Sequence, residues 1–169
     1  MTRKPTNVRR VLAGISLVIF LTILFFAAWT WQSIGIVKDR DLTDLLKAAI
    51  DLKLEQSKSE FQLALVMMGA LWGLMIAKKD EARIVLSDRP ELLMFCCASV
   101  LLICSCISHF VYVDNIAYVF WLAGSIESGK SIPDVFESGV NNPFRSQLWC
   151  LLGGFFVGMF TLFSAYKLK

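Results

Sequence analysis

Four long apolar segments stand out in the pattern of hydrophobic and polar positions along the chain. Each is close to the roughly 17–25 residues that a membrane-spanning helix needs. They cover residues 11–31, 61–77, 92–113 and 148–166, and polar segments at 36–60, 78–91 and 114–146 separate them. The pattern predicts an all-α membrane protein, a four-helix transmembrane bundle in which residues 1–169 form a single domain.

The second apolar segment continues a polar one without a break, because neither Gly nor Pro occurs between Asp41 and Gly69. A helix over residues 41–77 would be about 55 Å long at about 1.5 Å per residue, whereas a bilayer core takes about 30 Å. We therefore expect an extended second helix that protrudes on the outer side. Its protruding half has an apolar stripe at helical spacing, which either the other outer segment or a neighbouring subunit or ligand covers. The stripe consists of Leu42, Leu45, Leu46, Ala49 and Ile50.

The third apolar segment is expected to end near Val113, because the polar residues Asp114 and Asn115 follow it. Residues 116–123 are again apolar and aromatic but too short to span a bilayer. They predict a separate helix at the membrane surface. At the other end of this segment, Asp88 and Glu91 have the spacing of a helix capping box.

The composition supports a membrane protein, since 56% of the 169 residues are hydrophobic and the mean hydropathy is +0.61. Lys and Arg indicate the orientation, because they are enriched in segments that stay in the cytoplasm. With both termini inside, the short inner segments hold ten of the 17 basic residues and only four of the 14 acidic ones. We therefore expect a multi-pass protein of the bacterial inner membrane whose N- and C-termini are cytoplasmic.

The inner hairpin 78–91 combines basic residues with a short apolar run. The run either folds back on the bilayer or docks a soluble cytosolic partner. The basic residues of the whole inner face favour acidic membrane lipids or an acidic protein, and they are too sparse to predict direct nucleic acid binding. The candidate docking residues are Lys78, Lys79, Arg83, Ile84, Val85, Leu86 and Arg89.

The chain shows no catalytic motif, no cofactor-binding pattern and no metal-ligand spacing, so we expect a non-enzymatic protein without a cofactor. His109, the only histidine, either hydrogen-bonds locally or belongs to a proton relay or metal site. No predicted span has a charged residue near its middle, which argues against transport. The cysteines are expected to pack as small apolar residues: Cys96, Cys97, Cys104, Cys106 and Cys150.

Two G-x-x-x-G motifs lie in predicted spans, Gly69–Gly73 in the second and Gly154–Gly158 in the fourth. This spacing puts two glycines on one helix face, where a neighbouring backbone can approach closely. The neighbour is either another helix of the same chain or a helix of a second copy. The motifs thus predict tight helix packing and are compatible with a homo-oligomer.

The layout of the whole chain resembles small bacterial inner-membrane proteins of defence and immunity systems, in particular the KwaA-type membrane subunit of the Kiwa anti-phage system. The resemblance lies in the basic start MTRKPTNVRR, the outer stretch KDRDLTDLLKAAIDLKLEQSKSE, the inner hairpin KKDEARIVLSDRPE and the outer loop before SQLWCLLGGFFVGMF. It implies a membrane oligomer that senses phage attack and works with a soluble, DNA-binding cytoplasmic partner. Pore-forming colicin immunity proteins have a similar four-span layout.

Two classes of function follow. The first is a membrane sensor or anchor that oligomerises and recruits a cytosolic effector. The second is a channel or small transporter subunit, in which polar residues such as Ser99, Ser105 and Thr161 line an axis between copies. A membrane protein similar to the colicin immunity proteins is a further alternative.

Overall fold

The structure is a computed structural model, and it describes residues 6–32, 44–76, 88–125 and 141–165. These residues form four α-helices, which confirms the all-α prediction. Three of them are long and apolar enough to cross a membrane, over Asn7–Trp29, Arg89–Tyr118 and Asn142–Ala165. The predicted span 61–77 is not among these three and stays a prediction, as does the division into four spans. The helices are α1 (Thr6–Gln32), α2 (Asp44–Ile76), α3 (Arg89–Ser125) and α4 (Asn141–Ala165).

Helix α2 is continuous over 33 residues, as the absence of a helix-breaking residue before Gly69 predicts. Four of its buried positions recur every seventh residue, at Ile50, Ser57, Ala64 and Leu71, and Glu60 lies between two of them. A repeat of seven residues places side chains along one stripe of a helix. One face of α2 therefore lies against the rest of the bundle along most of its length.

Helix α3 is longer than predicted, because it continues through Asp114 and Asn115 and ends at Ser125, for a total of 37 residues. The separate surface helix over residues 116–123 is therefore wrong. The physical reason is periodicity: Asp114 is exposed on the helix surface, while Ile116 returns to a buried position. Polar residues on an exposed face do not interrupt a helix whose other face stays buried.

Helices α3 and α4 form the central pair, and α1 and α2 each pack against both. The apolar core comes mainly from the central pair, with Ala13 from α1 and Ala64 and Leu71 from α2. Most of α1 is open, since only 11% of its most apolar window is buried. The polar contacts of the bundle lie near its two ends, which we call the Arg9 end and the His109 end after the residues described next.

Candidate functional site

The His109 end contains polar side chains that three helices bury together. They are Ser57 and Glu60 of α2, His109 and Tyr112 of α3, and Gln147 of α4, and all are buried. We call these five residues the His109 cluster. Buried polar groups are costly unless they are hydrogen-bonded, so the pairing within the cluster decides its chemistry.

Ser57 and Gln147 form the centre of the cluster through two hydrogen bonds. The Gln147 Nε2 donates to the Ser57 carbonyl oxygen at 2.7 Å, which leaves Oε1 of Gln147 facing the Ser57 hydroxyl. Ser57 Oγ then donates its single hydrogen to that Oε1 at 2.5 Å. The pair joins α2 to α4 at both the side chain and the backbone of Ser57.

The same hydrogen bonds assign the proton on His109. Its Nδ1 lies 2.8 Å from Ser57 Oγ, whose only hydrogen already goes to Gln147. Nδ1 must therefore carry the hydrogen and donate to Ser57 Oγ, which leaves Nε2 with the free lone pair. The imidazole also stacks on Phe61, with ring centroids 4.6 Å apart and an interplanar angle of 17°. His109 thus bonds across helices instead of within its own turn.

Glu60 is the acidic member of the cluster. Its Oε1 accepts a hydrogen bond of 2.9 Å from Gln56, one turn earlier on α2, whereas its Oε2 has no partner. Burial raises the pKa of the Glu60 carboxyl above its ordinary value of 4.5, and the bond from Gln56 partly opposes this. The buried hydroxyl of Tyr112 also lacks a hydrogen-bond partner, and the charge of Glu60 acts on it.

Further hydroxyl groups extend the polar contacts between the central helices. Ser105 donates to the carbonyl oxygen of Gln147 at 3.0 Å, and Ser108 lies 3.4 Å from the Ser146 hydroxyl. Beside the last pair, α1, α3 and α4 enclose a mainly apolar groove of about 450 Å³ that includes Leu24 and Ile107. The polar contacts therefore border a space that opens toward the side of the bundle.

The two G-x-x-x-G motifs have different surroundings. A Cβ atom on Gly154 would lie 2.8 Å from Leu102 Cδ2 of α3, and one on Gly158 would lie 3.6 Å from Leu71 of α2. A Cβ atom on Gly69 or Gly73 would have no neighbour within 4 Å. The motif of α4 therefore packs within the chain, whereas the described part of the chain leaves the motif of α2 open.

The Arg9 end contains a buried ion cluster between α1 and α3. Arg9 pairs with Asp88 and with Glu91, and the distance from its Nη1 to Glu91 Oε1 is 3.3 Å. Glu91 also accepts a hydrogen bond from the Asp88 backbone N–H at 3.3 Å, which is one of the two hydrogen bonds of the predicted capping box. One arginine between two acids leaves no surplus positive charge, so this cluster is not an anion site.

The predicted outer stripe is only partly covered. Ile50 is buried within the chain, whereas Ala49 is exposed. The side chains of Leu45 and Leu46 are not described, and Leu42 lies outside the described residues. Burial of Ile50 supports packing within the same chain over contact with a neighbour at that position.

Most of the predicted docking residues lie outside the described part of the chain: Lys78, Lys79, Arg83, Ile84, Val85 and Leu86. Arg89 is described and is exposed at the start of α3. Cys97 and Cys150 belong to the apolar core, and Cys104 and Cys106 pack against it, in agreement with a packing role. Cys96 is exposed and free.

Ser57, Glu60 and Gln147 were missed by the sequence analysis, although a signal for each was present. Ser57 is seven residues before Ala64, and Gln147 is seven residues before Gly154, so both continue buried stripes. Glu60 is four residues before Ala64, on the same side of α2. Extending each apolar stripe past its last apolar residue would have found all three.

Comparison with known proteins adds no functional assignment. No family model matches the chain, and neither the curated proteins nor the solved structures include a similar one.

Proposed function

We propose that the protein is a non-enzymatic, multi-pass inner-membrane protein that self-associates through α2 and acts as a sensor or anchor for a cytosolic effector. All four helices cross the membrane in this proposal, with both termini in the cytoplasm and the His109 end outside. The resemblance to the Kiwa membrane subunit suggests anti-phage defence as the setting. The proposal combines an open association face on α2 with a short inner hairpin that can bind a partner.

The single observation that carries the proposal is the open glycine face of α2. Gly69 and Gly73 have no neighbour within 4 Å, and Val66 on the same face is 68% exposed. In lipid, helices associate mainly through close van der Waals packing, which such a face allows. The other G-x-x-x-G motif is already filled within the chain, so the motif of α2 is the one that supports contact with a second copy.

The predicted inner hairpin 78–91 is too short to fold as a domain of its own, so in this proposal it acts by binding a partner. The hairpin 78–91 has four basic and four acidic residues and therefore suits a partner surface that carries charges of both signs. The partner in this proposal is a soluble effector bound at Arg89 and the preceding hairpin residues.

The channel alternative loses its proposed lining. Ser99, Ser105 and Thr161 are all buried within one chain, and Ser105 and Thr161 are hydrogen-bonded there. These hydroxyls therefore do not face an axis between copies. Reconstitution of the purified protein into liposomes distinguishes the two functions, since specific conductance from this chain alone would favour a channel.

The deciding experiment is a pull-down from native membranes with the full chain and with a hairpin variant, Lys78→Glu with Lys79→Glu and Arg83→Glu. We expect one stoichiometric soluble partner with the native chain and its loss with the variant. A matched control reverses the same number of charges elsewhere, at the exposed Lys58 and at Arg145, together with Arg10. Equal capture by the native chain and the hairpin variant would contradict docking at the hairpin.

A further inference from the structure

The His109 cluster contains a charge that no described residue balances. Glu60 is only 8% exposed, and its Oε2 has no hydrogen-bond partner, while Oε1 receives one bond from Gln56. Burial of an ionised carboxylate without a cation is costly, and proteins avoid this cost by pairing the charge, binding a cation or protonating the group. Each of these three possibilities requires different groups near the Glu60 carboxyl.

Pairing and cation binding do not fit the surroundings. The ion pairs that the structure shows are those of Arg9, at the opposite end of the bundle. A calcium ion takes roughly 6–8 oxygen ligands. Near Glu60, the oxygens of Ser57 and Gln147 are already hydrogen-bonded, and only the Tyr112 hydroxyl joins Oε2 as a group without a partner. Protonation is the possibility that remains.

We propose that the Glu60 carboxyl is a proton-binding site: the proton keeps α2 closed against α3 and α4 at the His109 end, and its loss loosens this contact. Glu60 is one turn from Ser57, whose hydrogen bonds join α2 to both His109 and Gln147. Ionisation of Glu60 therefore acts one turn from the hydrogen bonds that join Ser57 of α2 to α3 and α4. The site does not depend on self-association or on an effector.

His109 is not the switch in this arrangement. Its Nδ1–H already donates to Ser57, so a proton added at Nε2 leaves that hydrogen bond intact. Stacking on Phe61 also tolerates a charged imidazole, because a cation is attracted to an aromatic face. Protonation of His109 thus changes the charge of the cluster without breaking its contacts.

The other titratable groups at this end include the exposed side chains of Asp51, Glu55, Lys58 and Asp114. Lys53 of α2 lies over the Phe144 ring, 5.7 Å from its centroid, and Tyr112 of α3 packs beside the same ring. Helix α4 contributes the exposed Arg145, and α1 contributes no charged residue among its described outer turns. The thiols of Cys104, Cys106 and Cys150 lie deeper in the bundle. Glu60 is the buried acid among them.

The sign of the pH effect follows from linkage. The folded pKa of Glu60 lies above the unfolded value, so the folded chain holds a proton that the unfolded chain has already lost. The stabilisation is complete below the ordinary pKa of 4.5 and is lost as the pH rises through the raised folded value. The closed contact of α2 is therefore favoured on the acid side.

The test measures the thermal midpoint of the full chain in lipid nanodiscs between about pH 5 and about pH 8, together with infrared pH-difference spectra. We expect the midpoint of the native chain to fall by several degrees as the pH rises, and we expect Glu60→Gln to hold it near the acid value throughout. The exposed Glu55→Gln is the matched control and should keep the native slope. The infrared band of a protonated carboxyl should disappear with rising pH in the native chain and be missing in Glu60→Gln.

The proposal is overturned by any of three results. In the first, the fall of the thermal midpoint with rising pH persists in Glu60→Gln and disappears in His109→Gln. This result would make His109 the titrating group. The native infrared spectra show an ionised Glu60 throughout. The midpoint at pH 8 depends on sodium or calcium relative to choline, which would indicate a bound cation. The infrared spectra of the native chain decide the question even if Glu60→Gln does not fold.

Discussion

The glycine motifs of α2 and α4 have the same spacing and opposite surroundings. On α4, Leu102 fills the space that a side chain at Gly154 would occupy, and Leu71 contacts the position of Gly158. On α2, the corresponding space beside Gly69 and Gly73 is open. One motif therefore packs within the fold of the chain, and the other meets no described residue of the chain.

The difference teaches that a small-residue motif predicts close approach but does not identify the helix that approaches. Helix α4 lies between the three other helices, and its motif meets two of them because it is central. Helix α2 is peripheral, and its buried face is the stripe of Ile50, Ser57, Ala64 and Leu71. Gly69 and Gly73 lie outside that stripe, so the fold is complete without them.

The largest effect is expected from Gly154→Ile. A Cβ atom alone would lie within 3 Å of Leu102, and the rest of the isoleucine has no space between α3 and α4. We expect a loss of folding stability at or above the upper end of the usual overpacking cost of about 1–3 kcal/mol. Thermal unfolding and the yield of monodisperse protein measure it. Gly14→Ile on α1, where the Cβ has no neighbour, is the matched control, and equal losses in both variants would show that Gly154 is not specially packed.

The second effect concerns association. Gly73→Ile should leave the unfolding temperature nearly unchanged, because a side chain there meets no atom of the same chain. If α2 joins two copies, the added side chain separates the backbones, and we expect at least about a tenfold weaker association, roughly 1.4 kcal/mol. Native mass spectrometry or crosslinking in nanodiscs measures the oligomer. An intact oligomer in Gly73→Ile and a broken one in Gly14→Ile would move the association surface from α2 to α1.

A double-mutant cycle measures the contact between α3 and α4 directly. Gly154→Ala should destabilise the native chain, and it should be tolerated far better when Leu102 is shortened to Ala. We expect a coupling free energy of about 1 kcal/mol between the two positions, since contacting residues are not additive. Chemical unfolding of the four proteins of the cycle gives this value, and additivity within error would show that Leu102 does not occupy the glycine face.

The smallest effect is expected at Gly158. A Cβ there would lie 3.6 Å from Leu71, which is an ordinary van der Waals contact. Alanine also has a higher helix propensity than glycine, by about 1 kcal/mol at most. Gly158→Ala should therefore be neutral or slightly stabilising in thermal unfolding. A clear loss of stability would mean that α2 and α4 approach each other more closely at Gly158 than the distance of 3.6 Å to Leu71 indicates.

Much of the fold follows from local patterns in the sequence. The apolar segments identify the four helices, the absence of a breaker makes α2 continuous, and the spacing of Asp88 and Glu91 gives the start of α3. The end of α3 differs from the prediction that Asp114 and Asn115 form a boundary. Asp114 lies on an exposed face and Ile116 returns to a buried one, so the periodicity of the helix continues past both polar residues.

The candidate site was less accessible to sequence reasoning. His109 contacts Ser57, which is 52 residues earlier, and Ser57 contacts Gln147, which is 90 residues later. No spacing along the chain relates three such positions, since only the packing of three helices brings them together. Residue types can be read from the sequence, but spatial neighbours cannot. Those neighbours determine which ring nitrogen of His109 carries the hydrogen, and they leave Glu60 without a cation.

The ion cluster at the Arg9 end has a consequence for the timing of synthesis. Arg9 and Asp88 are 79 residues apart, so the ribosome completes α1 and α2 before either acid exists. At about 5–20 residues per second, Arg9 waits roughly 4–16 s for its partners. During that interval the ion pairs of Arg9 with Asp88 and Glu91 cannot form, so this contact between α1 and α3 is added only after the start of α3 has been synthesised.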